Sequence, residues 1–192
     1  MRDVLRRAES FGDIFGIIAA QWAYGTTLLR AGKAFHDEAI DMLERARANI
    51  QKHKVFTLAL AIIAADLAIE AARKGQRDEA IDELRAMVSL HMGSGSRVFV
   101  GCPSEALVEL LIDRRGLDDL TEARRIVDQW QARRPGIPAL DLWWLKSRAR
   151  VAKAEGNPDG YADLAKQYLE LCEELDARGR LDEARQMVNE IT

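Results

Sequence analysis

A chain of 192 residues with 48% hydrophobic and 31% charged side chains has the composition of a soluble globular protein with one sizeable core, and it is too apolar to stay disordered. Its 28 basic and 31 acidic residues leave a net charge of -3 distributed along the whole length, which excludes a global field for nucleic acid or an anionic membrane. The two cysteines, Cys102 and Cys172, match no metal or redox spacing and fit a reducing cytoplasm better than a disulfide scaffold.

The chain opens on MRDVLRRAES, which is charged and is followed by no small-residue cleavage site, so no signal peptide is indicated. With four prolines and no sustained β-alternation, helix dominates the reading, and no sheet is expected. One set of helices is predicted at roughly 13–31, 55–74, 103–115 and 139–155. Their partners begin at HDEAIDML, RDEAIDEL, LTEARRIV and GYADLAKQ, with acids in the first turns where they favour the positive end of the helix dipole. The segment VFTLALAIIAADLAIEAA, 55–72, is long enough to consider as a membrane span, but Asp66 and Glu70 would both lie in hydrocarbon. A helix sandwiched between neighbours in a solenoid also needs apolar residues nearly all round, and that is the reading adopted.

The helical segments separate at Gly32, Gly75, Gly116, Gly156 and Gly179, the first four about 40 to 43 residues apart, the range of helix-pair repeats. A small residue stands in each unit where two helices must approach closely: Ala39, Ala80, Ala123 and Ala184, with Gly25, Ala68 and Ala149 on the preceding helices. The resulting expectation is one all-α domain over 1–192, with repeat units at roughly 11–51, 54–92, 102–134 and 138–176 and a terminal helix at 180–191. GQRDEAIDEL (75–84) and GRLDEARQMV (179–188) read as equivalent turns of such a superhelix. The stretch GSGSRVFVG, 93–101, reads as a mobile connection before a helix start at Pro103 with Glu105 in its first turn.

The order of small residue, turn glycine and D-E-A resembles the tetratricopeptide repeat, which implies a solenoid of antiparallel helix pairs. Beyond it, FGDIFGIIAAQWAYGTTLLRAG, CPSEALVELLIDRRG with LTEARRIVDQW, and LWWLKSRARVAKAEGNPDGYADLAKQY resemble the C-terminal helical-repeat region of large actinobacterial, especially mycobacterial, signalling proteins. Those join a class III adenylyl or guanylyl cyclase domain, or a LuxR-type DNA-binding domain, to a predicted STAND/AAA-type ATPase and a tetratricopeptide-like tail. The resemblance implies a non-catalytic regulatory segment of a larger protein. The chain departs from that family at its end, where ELDARGRLDEARQMVNEIT replaces a glycine-aromatic-histidine ending.

No residue pattern carries chemistry. GTTLLRAGKA, 25–34, has the wrong spacing for a phosphate loop and lies in a helical pattern. His36, His53 and His91 lack the one-turn spacing of a zinc helix. Cys102 at a helix N-terminus suggests a thiol whose pKa the dipole depresses, but it has no adjacent base. Asp66 and Glu70 share a helix side, and salt-bridging of Glu70 to Lys74 is preferred over paired-carboxylate catalysis. KSRARVAK, 146–153, reads as a solvated or peptide-binding face and not as a nucleic-acid patch. Trp143 and Trp144 point about 100° apart on a helix, so one of them is expected in the core. No catalytic residue, metal or cofactor is therefore expected.

Register then suggests a concave groove formed by the first helix of each pair. Fixed offsets before the turn glycines converge Trp22, Arg30, Arg73, Arg114, Lys146 and Arg150, and Trp143 joins them. Such a groove, apolar in the middle and basic along one rim, suits an acidic or amphipathic peptide or another domain of the same polypeptide. A free-standing adaptor and a small-molecule-binding domain built on Asp66 and Glu70 are the alternatives, and homo-oligomerisation stays open. A chaperone-type carboxylate clamp needs asparagines on these helices, and Asn49, Asn157 and Asn189 do not supply them.

Overall fold

The computed structural model describes residues 2–93, 100–132 and 136–191. All regular structure among these residues is helical, with no strand. Ten α-helices follow in order: α1 (Arg2–Phe11), α2 (Ile14–Ala31), α3 (His36–His53), α4 (Ala59–Arg73), α5 (Arg77–Gly93), α6 (Gly101–Arg114), α7 (Asp119–Gln131), α8 (Pro138–Ala154), α9 (Pro158–Glu174) and α10 (Arg178–Asn189). A 3-10 turn at Lys33–Phe35 leads into α3. The Gly-Ser connection expected at 93–101 falls mostly on 94–99, outside the described residues.

Consecutive helices pack as hairpins, α2 with α3, α4 with α5, α6 with α7 and α8 with α9, and α10 packs on α9. Between hairpins α4 packs on α6 and α6 on α8, giving an inner row of α4, α6 and α8 backed by α5, α7 and α9. Local chemistry sets the boundaries. At the end of α4 the amide of Gln76 donates to Ala71 O (3.0 Å) and that of Gly75 to Ala72 O (3.1 Å), with Gly75 at φ 96°. This Schellman closure needs a left-handed residue, which glycine supplies without strain. The same pair of bonds closes α8 at Gly156, and Pro158 then opens α9 at its first position behind the Asn157 cap.

The repeat of GQRDEAIDEL in GRLDEARQMV is a correction. Gly179 lies inside α10, and the left-handed turn after α9 is made by Asp176 (φ 47°), where Ala177 N donates to Cys172 O. GQRDEAIDEL opens an outer-row helix, whereas α10 returns to the inner side, where it meets α6 and α8 through side chains. At Gly116 the left-handed residue is the preceding Arg115 (φ 58°). The chain also forms α1 where only a charged N-terminus was read: Arg2 ties it to Tyr24 Oη (2.5 Å) and Glu38 (2.6 Å).

The core divides into two clusters. Ile18, Leu43, Ala46 and Ile50 meet one side of α4 (Ala59, Ile63, Leu67), and the other side of α4 (Ala65, Ala68, Ala72) opens the larger cluster that runs to Met187. The apolar segment at 55–72 is helical only from Ala59, the stretch 55–58 forming a turn with Phe56 at φ 54°, and the helix is buried on two sides; no helix among the described residues is long and apolar enough to cross a membrane.

The small residues stand where crossings are tight. A Cβ built on Gly25 lies 3.0 Å from Ala39 O and 2.8 Å from Leu43 Cγ. Gly25→Ala should therefore push α2 from α3 and lower stability by roughly 1 to 3 kcal/mol, read as a fall in the thermal midpoint. An unchanged midpoint would remove the close-approach argument.

Candidate functional site

The inner helices line a groove of about 360 Å³ whose walls come from α2 (Thr26, Arg30), α4 (Ile62, Ala65, Asp66, Ile69), α6 (Cys102, Glu105, Ala106, Glu109), α8 (Trp143) and α10 (Arg180). A second depression of about 250 Å³ continues it past the shared Ile69 and Glu109 to Arg73, Arg77, Asp113 and Arg150. On α4 the lining residues Ile62, Asp66, Ile69 and Arg73 recur at helical spacing along one face.

Of the seven residues expected in the groove, six by register and Trp143 beside them, Arg30, Trp143, Arg73 and Arg150 line it. Trp22 is half-buried against the first core cluster. Arg114 instead joins Asp119 (2.6 Å) and Asp78 (2.7 Å). Lys146 lies beneath the groove wall, 7% exposed, and bridges Glu105 (2.6 Å), Glu183 (2.9 Å) and Glu109 (3.1 Å). Burial works against its charge, but the three carboxylates override that and hold its pKa above the ordinary lysine value.

The basic rim is accordingly a correction. Arg150 approaches Glu183 (3.5 Å) and Glu109 (3.8 Å), Arg73 is held by Glu70, Arg148 approaches Asp128 (3.7 Å), and Lys153 binds Glu190 (2.6 Å). The basic string at 146–153 thus serves intramolecular pairing in place of a free face. Arg30 and Arg77 are the groove cations that form no ion pair among the described residues.

Sequence reasoning missed Glu105, Glu109 and Arg180. The two glutamates sit one position off the offsets used, so a check of adjacent helix positions would have shown acids facing the row. Arg180 was hidden by the assignment of Gly179 as a turn. Its guanidinium stacks over the Trp143 ring at 5.5 Å and donates to Glu105 Oε2 (3.2 Å) and Tyr168 Oη (3.2 Å). Trp144, the other member of the pair, is buried and donates from Nε1 to Val127 O (3.2 Å).

Asp66 and Glu70 separate into different environments. Glu70 is 3% exposed and receives His36 Nδ1 (2.8 Å) and Arg73, while Lys74 pairs with Asp37 (3.2 Å). Asp66 faces the groove and accepts one bond, from Thr26 Oγ1 at 3.3 Å. Burial pushes its pKa up to about 6, opposed by Thr26 and by Arg30 acting through space. The expected depression of Cys102 is overturned, because burial pushes that thiol up to about 12. No group of three or more histidine, cysteine or acidic residues that could hold a metal ion occurs among the described residues.

Compared with protein-family models, with characterised proteins and with solved structures, the chain matches none.

Two stability outcomes follow. Lys146→Met leaves three glutamates around an apolar side chain, so it should cost about 3 to 5 kcal/mol and loosen α10, visible as faster amide exchange over 178–189. Asp66 binds its proton more tightly folded than unfolded, so its ionisation removes stability as pH rises from about 4 to about 6. Asp66→Asn should then stabilise the fold by roughly 1 to 2 kcal/mol at pH 7.5 and change little at pH 4, measured by urea unfolding. A destabilised variant at pH 7.5 would reverse that sign.

Proposed function

We propose that this chain is a non-catalytic protein-interaction segment, a tetratricopeptide-like solenoid whose inner groove receives an extended or helical part of another protein or of another domain of the same polypeptide. The carrying observation is that five helices distant in sequence direct side chains into one groove with an apolar floor of Ile62, Ala65, Ile69 and Ala106. Grooves of that kind accept the apolar face of an amphipathic segment. The hairpin order, the inner row and the Schellman turns at Gly75 and Gly156 support the solenoid reading. Catalysis by paired carboxylates lacks support, since Glu70 is committed to His36 and Arg73.

The place of this segment in a cyclase- or ATPase-type signalling protein rests on the sequence resemblance alone. In the full-length gene product, Ile69→Lys should weaken partner binding or regulation at least about tenfold, as loss of a central apolar contact does, with helicity unchanged by circular dichroism. Unaltered regulation in a folded variant would move the function off the groove. Calorimetric titration of the isolated chain with MgATP should give no saturable heat, and stoichiometric binding would reverse the non-catalytic assignment.

A further inference from the structure

We propose that Asp66 sets the specificity of the groove by receiving the ammonium or guanidinium group of a basic residue on the apolar face of an amphipathic partner segment. This rests on the peptide-binding reading above and adds the residue type the partner must present, which is opposite in charge to what the register argument led one to expect.

The glutamates along the groove are satisfied by cations. Glu105 has Lys146 at 2.6 Å and Arg180 at 3.2 Å, Glu109 has Lys146 at 3.1 Å, and Glu70 has His36 at 2.8 Å. Asp66 has no cation within ion-pair distance among the described residues, and its single donor is the Thr26 hydroxyl at 3.3 Å, at the long end for an O–H···O bond. Oδ1 has no donor among the described residues. The groups around it are Thr26 and Arg30 from α2, Glu70 on its own helix, and Cys102 and Glu105 from α6. Arg30 is exposed and acts only through space.

A carboxylate in a site that penalises its charge, relieved only through space by Arg30 and by no cation in ion-pair contact among the described residues, lowers the stability of the free protein. Such a residue is characteristic of positions kept for binding. Ile62 and Ile69 flank Asp66 about one turn to either side on the same stripe, so the incoming cation must come with apolar neighbours. Its N–H groups would replace water on Oδ1, forming a charge-assisted bond in a partly dry groove.

The test uses the whole chain and two synthetic 16-residue amphipathic helical peptides, identical except that one carries lysine and the other norleucine at the centre of the apolar face. Fluorescence anisotropy at pH 7.5 should show the lysine peptide binding at least about tenfold more tightly. That preference should shrink at pH 5.0, where Asp66 takes up a proton, and the two peptides should bind Asp66→Asn alike. Equal affinity of both peptides for the wild-type chain overturns the assignment of Asp66 and leaves the groove reading standing. A lysine preference that survives in Asp66→Asn also overturns it and points to Glu105 or Glu109. Absence of saturable binding by either peptide overturns both readings.

Discussion

Helix α4 is constrained on two sides at once, and the rest of the molecule is arranged around that fact. Its Ala59, Ile63 and Leu67 side closes the first core cluster, and its Ala65, Ala68 and Ala72 side opens the second. A helix covered this way leaves little surface for the groove, and the sequence places Ile62, Asp66, Ile69 and Arg73 on the face that lines it. The small side chains have a second effect. Where alanine meets alanine, backbones come close, so the inner row stays tight enough for residues from α2 to α10 to share one cavity.

The charge distribution of that cavity follows from pairing and not from counting. Three cations, Lys146, Arg150 and Arg180, face three carboxylates, Glu105, Glu109 and Glu183, drawn from α6, α8 and α10. Lys146 sits at the centre with all three glutamates in reach, where a lone ammonium could not remain charged. The network fixes the position of α10 against two inner helices. It also leaves the far end of the groove electrically balanced, so the unbalanced groups lie near Asp66 and Arg30 and near Arg77.

Much of the architecture was legible in the sequence because helix packing repeats a local rule. The apolar surround of 59–73, the small residues at 25, 39, 80 and 123, and the left-handed glycines at 75 and 156 each carry their own physical signature. Asp176 carries none: a left-handed aspartate looks like any acid in a helical stretch, so the turn was displaced to Gly179 and α10 to the wrong row. The groove was readable in outline, since Arg30, Arg73, Trp143 and Arg150 fall on the expected face. Its charge was not, because the partner of Lys146 depends on contacts across 37 to 41 residues, which no local pattern encodes. Trp22 and Arg114 fell outside it for a related reason: the first turned inward to a core cluster, and the second met Asp78 and Asp119.

Two core clusters that both draw on α4 make the molecule mechanically uneven. In a stacked helical array each unit is held by its nearest neighbours, and here the apolar attachment of the first hairpin runs through α4, with the Arg47–Glu83 ion pair (3.2 Å) from α3 to α5 beside it. Loss of α2 and α3 would expose the Ile63 side of α4 while its Ala68 side stayed packed. The N-terminal third is thus the part of the fold whose apolar packing is most separable from the rest. Because Thr26 and Arg30 belong to that third, one wall of the cavity is carried by the hairpin that contributes least to the larger core.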